Sequence, residues 1–236
     1  GRIDPRTAAS WVILAVAVLL PVVGLWRYQG PPMEEGFMLA FPQRILAGEL
    51  PHVDFLHLYG PGSIYVLAGI YKVFGSTLGV ERMVGLAQHV ALVAAMFTLC
   101  RPWGRKIATT SALTTLVITI SPLGLSAMAW NGALALAVIG LACAGAALEL
   151  GHRGESEQRI RRAIVTAGVA FGAALLYRPD MVVAVGLGAG VAWVMLGRTD
   201  AARPLRRSGV VAIVGPVLLY VPFLLIVGPG RAITGM

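Results

Sequence analysis

The residues that could carry chemistry are concentrated in residues 31–62, a polar stretch in an otherwise strongly apolar sequence. Glu34 and Glu35 stand side by side near its start. Adjacent carboxylates repel each other, which favours proton uptake by one of them and suits it to act as a general base. The helix dipole also favours negative charge at the start of a helix, so an ordinary helix beginning is the alternative interpretation.

A second polar group follows in the same stretch, where Asp54 and His57 lie close together and His52 is nearby. Carboxylates and imidazoles are common ligands of divalent cations, and Asp54 and His57 would be one turn apart on a helix. They are therefore candidate metal ligands. The alternative interpretation is that these side chains, together with Tyr59, face the lipid headgroups at a membrane surface.

Two arginines are candidates for binding phosphate, because a guanidinium forks onto phosphate oxygens. They are Arg44, within the polar stretch, and Arg178, which is followed by Pro179 and Asp180. A local ion pair between Arg178 and Asp180 in a turn is the competing interpretation. His89 lies inside an apolar run, where a buried, hydrogen-bonded histidine is expected. The sequence has no Walker loop, dinucleotide fingerprint, HExxH or GxSxG motif, so intracellular nucleotide chemistry is unsupported.

The composition places these residues in a membrane protein. Hydrophobic residues make up 57% of the chain and charged residues 13%, and the mean hydropathy is +0.79. In lipid each apolar run must satisfy its own backbone hydrogen bonds, which favours helices, and the runs lack the alternation of barrel strands. The net charge is +8, and the basic residues lie in short loops beside these runs. This placement is typical of residues that orient a protein in the membrane and not of a nucleic-acid-binding surface.

Seven segments are predicted to span the membrane, which makes the chain an all-α polytopic membrane protein with one transmembrane domain over 1–236. The predicted spans are 10–26, 83–100, 107–121, 125–149, two within 163–197, and 208–227. Residues 163–197 are too many for one span, and Pro179 breaks the helix there. They must therefore form two short helices or a re-entrant pair.

The loop at 27–82 is predicted to hold a helix at 34–47 and an interfacial helix at 63–74, which is too short to cross a core of about 30 Å. Thirteen of the 19 basic residues fall on the side of the N-terminus: Arg2, Arg6, Arg101, Arg105, Lys106, Arg153, Arg159, Arg161, Arg162, Arg198, Arg203, Arg206 and Arg207. That side is therefore predicted to be cytoplasmic, with the 27–82 loop on the outer face.

Three further features bear on the origin of the chain. It begins with Gly and stops nine residues after the last predicted span, so we expect it to be part of a longer protein. Arginine (17) far exceeds lysine (2), a bias typical of GC-rich bacterial genomes, and this predicts a bacterial plasma membrane. Cys100 and Cys143 lie in apolar runs, where they form no disulfide framework and no metal motif.

The layout of the loop resembles that of the GT-C superfamily of polytopic membrane glycosyltransferases. The residues that carry the resemblance are EEGF at 34–37, RILAGELP at 44–51, DF at 54–55, YGPG at 59–62 and KVFG at 72–75. Arg178-Pro179 is similar to the Arg-Pro of the family at the outer end of a middle span. The resemblance covers roughly residues 10–200. The superfamily includes protein O-mannosyltransferases, aminoarabinose transferases and actinobacterial cell-wall glycosyltransferases.

The resemblance implies a transferase that moves a sugar from a polyprenyl-phosphate donor to a hydroxyl of a glycan, lipid or protein acceptor. An acidic residue of the first outer loop would be the base. The family has Asp-Glu where this chain has Glu34 and Glu35, so Glu34 takes the catalytic position with one extra methylene. The donor phosphate would be met by a divalent cation, Mg²⁺ or Mn²⁺, and by basic and polar side chains. We assign the latter to Arg44, Tyr59, Lys72 and Arg178.

Two other functions fit the same pattern. A transporter or flippase of lipid-linked sugars would line a pathway with charges and make no bond. It would need charged residues within spans, and the predicted spans contain almost none. The second alternative function is that of a membrane partner, performed by a truncated, non-catalytic homologue. The short length and the Glu-for-Asp exchange both favour it.

Overall fold

The computed structural model describes residues 5–28, 32–57, 59–228 and 230, and most of these residues lie in helices. Within those ranges the structure has no β-strand, and its one β-type contact is an isolated bridge between Pro51 and Phe55. The helices are α1 Pro5–Leu25, α2 Pro32–Leu46, α3 Pro61–Phe74, α4 Leu78–Cys100, α5 Arg105–Leu123, α6 Ala129–His152, α7 Glu157–Tyr177, α8 Val182–Gly197, α9 Arg206–Leu218 and α10 Tyr220–Val227. The all-α prediction is confirmed. Arg2, counted above among the cytoplasmic charges, lies outside the described residues.

Six helical stretches in the described part of the chain are long and apolar enough to cross a membrane. They are Pro5–Leu25, Leu78–Trp103, Ala129–His152, Glu157–Tyr177, Pro179–Gly197 and Arg206–Val227. The protein is therefore a multi-pass membrane protein. The remaining predicted span, 107–121, lies within α5, whose basic first turn and threonines lower its hydropathy. The count of seven spans stays a prediction.

Helix α5 nevertheless packs against α1 and α4. The three helices share one apolar cluster, formed by Leu14, Val18, Val93, Phe97, Ala108, Ala112 and Leu116. His89 of α4 is fully buried there, with Nε2 3.0 Å from the Gly124 carbonyl and Nδ1 3.4 Å from the Thr119 hydroxyl. The prediction of a buried, hydrogen-bonded histidine is confirmed.

The segment predicted as two short helices or a re-entrant pair forms two helices, each long enough to cross. Helix α7 begins at Glu157 rather than at Ala163, because the basic residues before the apolar run join its first turns. A turn over Pro179–Met181 separates it from α8. Gly168 lets α7 lie close to α9, since a Cβ there would come within 2.8 Å of the Ala212 Cβ.

The last predicted span is broken at Leu219 into α9 and α10, beside Pro216 and Pro222. The hydroxyl of Tyr220 lies 3.2 Å from the Leu175 carbonyl and 3.0 Å from the Leu176 carbonyl at the end of α7. Pro179 has no N–H, so the Leu175 carbonyl lacks its usual helical donor. Tyr220 supplies that donor and ties α10 to the turn after α7.

Helices α2 and α3 lie at one end of the bundle, where α1 ends and α4 begins; we call this the loop end. With 14 residues α3 is about 21 Å long, too short to cross a membrane. The Tyr71 hydroxyl donates to the Met38 carbonyl at 3.1 Å and joins α3 to α2. Both helices predicted in the 27–82 loop are therefore confirmed.

Candidate functional site

A cavity of about 300 Å³ lies at the loop end, between α2 and the segment that follows it. Most of its walls are apolar, from Met33, Phe37, Met38, Phe41, Leu56 and Met128. Its polar lining comes from Glu34, His57 and Tyr59. A mostly apolar cavity with a few convergent polar groups is the usual form of a small-molecule site. Three of the predicted site residues therefore meet in one place.

The side chains of the two adjacent glutamates point in different directions, because neighbouring residues on a helix are about 100° apart around its axis. Glu34 is half-buried and lines the cavity. Glu35 is buried and faces α4, where Arg82 Nε donates to Oε1 at 2.8 Å and Nη2 donates to Oε2 at 3.1 Å. Only Glu34 is thus placed to meet a molecule in the cavity.

Arg82 also holds the end of α1. Its Nη1 donates to the Trp26 carbonyl, and its Nη2 donates to the Tyr28 carbonyl at 2.7 Å. One guanidinium therefore connects the end of α1 with α2 and α4. The next residue back, Glu81, is fully buried and accepts the Ala127 N–H at 2.7 Å, which fixes the turn before α6.

The sequence interpretation missed Glu81 and Arg82 because it started the second span at residue 83. Helix α4 begins five residues earlier, at Leu78, where the Thr77 hydroxyl accepts the Val80 N–H at 3.3 Å. A threonine directly before an apolar run is a helix-start signal, and it could have identified this beginning. An adjacent acid and base inside a spanning helix would then have indicated buried partners.

Arg178 and Asp180 form the predicted ion pair. Arg178 Nε donates to Asp180 Oδ1 at 2.9 Å, and Nη2 donates to Oδ2. This pairing raises the pKa of Arg178 and keeps the guanidinium charged. Its central carbon lies 4.9 Å from the centre of the Tyr59 ring, so Arg178 reaches the edge of the cavity. The bonds to Asp180 use Nε and Nη2, so this ion pair leaves the N–H groups of Nη1 for an anion.

Tyr59 meets Arg178 because two glycines bring the start of α3 against the end of α7. A Cβ on Gly60 would lie 2.8 Å from the Leu176 carbonyl oxygen and from Pro179 Cδ. A Cβ on Gly62 would lie 2.5 Å from the same oxygen. Real Cβ atoms do not approach so closely, so the Gly60-Pro61-Gly62 sequence positions the tyrosine.

We expect Gly62→Ala to lower the free energy of unfolding by about 1–3 kcal/mol, since the added methyl must push α3 away from α7. Gly69→Ala in the same helix is the matched control, because a Cβ there meets no atom within 4 Å. The control should be neutral or slightly stabilising. Thermal unfolding of both variants in detergent is the measurement. Equal midpoints for the two would contradict the close approach.

Arg44 and Asp54 stabilise the loop between α2 and α3. Arg44 is ion-paired with Glu49 at 2.5 Å and donates to the Asp54 carbonyl at 2.9 Å, with its guanidinium 4.6 Å from the centre of the Phe55 ring. The Asp54 carboxylate accepts the Leu50 N–H at 2.7 Å. Both side chains therefore have partners within this loop. The phosphate role of Arg44 stays a prediction.

No group of three or more His, Cys, Asp or Glu side chains is arranged to hold a metal ion anywhere in the described ranges. Asp54 is exposed and bound to the backbone, whereas His57 is buried. The metal-ligand role of Asp54 and His57 and the binding of Mg²⁺ or Mn²⁺ stay predictions. Lys72 is exposed in the last turn of α3, about 16 Å along the helix from Pro61.

His57 is the most enclosed polar group of the cavity, with 1% of its surface exposed. Its ring packs edge-on against Phe41 at 5.6 Å and Tyr59 at 5.7 Å between centres. Burial and, to a lesser extent, the neighbouring His52 lower the pKa of His57 to about 4, although a hydrogen bond to the Gly60 backbone acts in the opposite direction. The imidazole is therefore neutral at physiological pH.

Neither a protein-family model nor a curated protein matches this sequence. Among solved structures, the chain is similar to the crystal structure of ArnT from Cupriavidus metallidurans bound to undecaprenyl phosphate, with a TM-score of 0.69 and 18% sequence identity. The similarity covers 94% of this chain and 42% of that one, so the chain spans less than half the length of the ArnT chain. At this identity the likeness shows the fold alone, an arrangement of membrane helices similar to that of part of the ArnT chain.

Proposed function

We propose that this chain forms the catalytic end of a membrane glycosyltransferase, which moves a sugar from a polyprenyl-phosphate donor to an acceptor hydroxyl. The observation that carries the proposal is the loop-end cavity, where a half-buried carboxylate, Glu34, and a guanidinium, Arg178, flank Tyr59. A base and a phosphate-binding cation are the two groups that such a transfer needs. The fold shared with an undecaprenyl-phosphate-bound protein supports the same class of donor.

The transfer is a single displacement with inversion. The acceptor oxygen attacks the anomeric carbon of the sugar while Glu34 takes the hydroxyl proton. The bond between that carbon and the phosphate oxygen breaks, and its electron pair leaves with the phosphate. A phosphodiester oxygen is a weak base, so no general acid is required. Arg178 binds the departing phosphate and stabilises its growing negative charge.

An apolar groove of about 420 Å³ beside Arg178 suits the polyprenyl chain of the donor. It runs between α3, the end of α7 and α10, with Tyr65, Val66, Leu176, Phe223, Ile226 and Val227 among its lining residues. Leu176 lies two residues before Arg178, so a lipid whose tail fills the groove can put its phosphate on the guanidinium. The sugar would then extend past Tyr59 into the cavity.

Glu34, and not Glu35, is the base in this proposal. Glu35 is held by two hydrogen bonds from Arg82 and is shielded from the cavity. Both of its carboxylate oxygens accept from Arg82, and the side chain does not line the cavity, so it does not meet a hydroxyl bound there. Glu34 lines the cavity, where its carboxylate can accept the proton of a bound hydroxyl.

We expect Glu34→Gln to reduce sugar transfer by at least about 100-fold, the usual contribution of a general base. Transfer of labelled sugar from polyprenyl-phosphate donors is measured in membranes containing the protein, with expression and insertion checked for each variant. Glu155→Gln, which removes an exposed carboxylate paired with Arg159, is the matched control and should transfer normally.

Equal transfer by the wild-type protein and Glu34→Gln would contradict the role of Glu34 and redirect attention to Glu35. An absence of transfer by the wild-type protein with polyprenyl-phosphate donors would contradict the proposed function itself and favour a non-catalytic membrane partner.

A further inference from the structure

His57 has a hydrogen-bonding atom that nothing in the site described so far uses. Its Nε2 is buried and has no hydrogen-bond partner among the described residues. The side chain lines the same cavity as Glu34 and Tyr59. A buried polar atom without a partner costs free energy, so such an atom often marks the place of a ligand absent from the structure.

The other ring nitrogen settles which kind of partner Nε2 can take. His57 makes a hydrogen bond with the Gly60 backbone that favours the charged form of the ring, so the imidazole donates to the Gly60 carbonyl. Since Nε2 is unpaired, the donor is Nδ1, and its proton fixes the tautomer. Nε2 of the neutral ring then carries a lone pair and accepts hydrogen bonds.

The surroundings keep the ring in that state. Phe41 and Tyr59 contact it edge-on, and the ring of His52 lies 6.2 Å away between centres. Glu34 is the acidic group of the cavity, and the Arg178 guanidinium lies over the Tyr59 ring. Burial lowers the pKa of His57 to about 4, so the ring does not become a cation near neutral pH.

An acceptor nitrogen next to a carboxylate favours a ligand that brings hydroxyl groups and disfavours one that brings phosphate oxygens. We infer that His57 Nε2 accepts a hydrogen bond from a hydroxyl of the donor sugar, which makes His57 a specificity-determining residue for the sugar rather than a metal ligand. The inference rests on the proposed function. It divides the donor between two places, with the sugar at His57 and the phosphate at Arg178.

Two substitutions of His57 test the roles of its two ring nitrogens one at a time. His57→Asn keeps an N–H near the position of Nδ1, where it can still donate to Gly60, and removes the acceptor at Nε2. His57→Gln places an amide oxygen near the position of Nε2 and gives up the inner donor. Binding is measured on purified protein in detergent, with undecaprenyl-phosphate mannose, undecaprenyl-phosphate arabinose and bare undecaprenyl phosphate as probes.

We expect His57→Asn to weaken binding of the sugar-bearing lipid that the wild-type protein prefers by roughly three- to ten-fold, the worth of one neutral hydrogen bond. Binding of bare undecaprenyl phosphate should not change. His57→Gln should restore part of the lost affinity for the sugar-bearing lipid, because it returns an acceptor.

Three results would overturn the inference. One is equal weakening of all three lipids by His57→Asn, which indicates a structural role. Another is a wild-type protein that does not distinguish sugar-bearing from bare lipid. The third is an effect of His57→Asn that disappears on adding EDTA, which indicates a metal ligand. Selective binding without any sugar transfer would support the inference and contradict the proposed catalysis, so the two failures are distinguishable.

Discussion

Replacing Arg82 with methionine is expected to lower the free energy of unfolding by roughly 3–5 kcal/mol, the cost of leaving a buried charge without its partner. The side chains of Arg82 and Glu35 are only 5% and 8% exposed. The substitution also leaves the Trp26 and Tyr28 carbonyls without their donor. Denaturant titration of the purified protein in detergent is the measurement.

The double variant Arg82→Met/Glu35→Met tests the cause of that loss. It removes both charges, so it should be more stable than Arg82→Met alone, because paired removal of a buried ion pair is far cheaper than breaking it. Arg159→Met is the matched control, since it breaks an exposed pair with Glu155 that is worth about 0–1 kcal/mol. A double variant no more stable than Arg82→Met would contradict the buried pair.

Acidification is expected to destabilise the protein through His57. The folded-state pKa is about 4 and the ordinary value is 6.5, so the unfolded chain takes up a proton first as the pH falls. The stabilisation is fully present above about pH 6.5 and is lost between that pH and pH 4. The shift corresponds to about 3 kcal/mol in total, of which about 2 kcal/mol is lost at pH 5.

The measurement compares thermal unfolding at pH 7.5 and pH 5 for the wild-type protein and His57→Asn. The variant lacks the titrating ring, so its midpoint should fall less than that of the wild-type protein. His152→Asn, at an exposed position at the opposite end of the bundle, is the control and should keep the wild-type dependence. Parallel losses in all three proteins would show that other groups control the acid sensitivity.

Local sequence signals were enough to predict most of the helices. The interfacial helix over 63–74 follows from Gly60-Pro61-Gly62 before it and Gly75 after it, and from its short apolar length. The break at Pro179 follows from the missing N–H. The predicted and observed elements differ mainly at helix starts, where polar residues such as Glu157 join the first turn and a search for apolar runs excludes them.

The separation of Glu34 from Glu35 could not be predicted, because both carboxylates suit the start of a helix. Which one faces the cavity depends on where α4 packs, and the partner that decides it, Arg82, lies 47 residues further along the chain. Arg44 illustrates the opposite case. Its partner Glu49 is only five residues away, so a nearby acid was available to compete with the predicted phosphate role.

The Tyr220 hydroxyl, which donates to the carbonyls at the end of α7, links α10 to the part of the chain next to Arg178. The same helix forms one wall of the apolar groove and places Phe223 5.7 Å from the ring of His52. Helix α10 therefore contacts both the end of α7 next to Arg178 and the loop that holds His52.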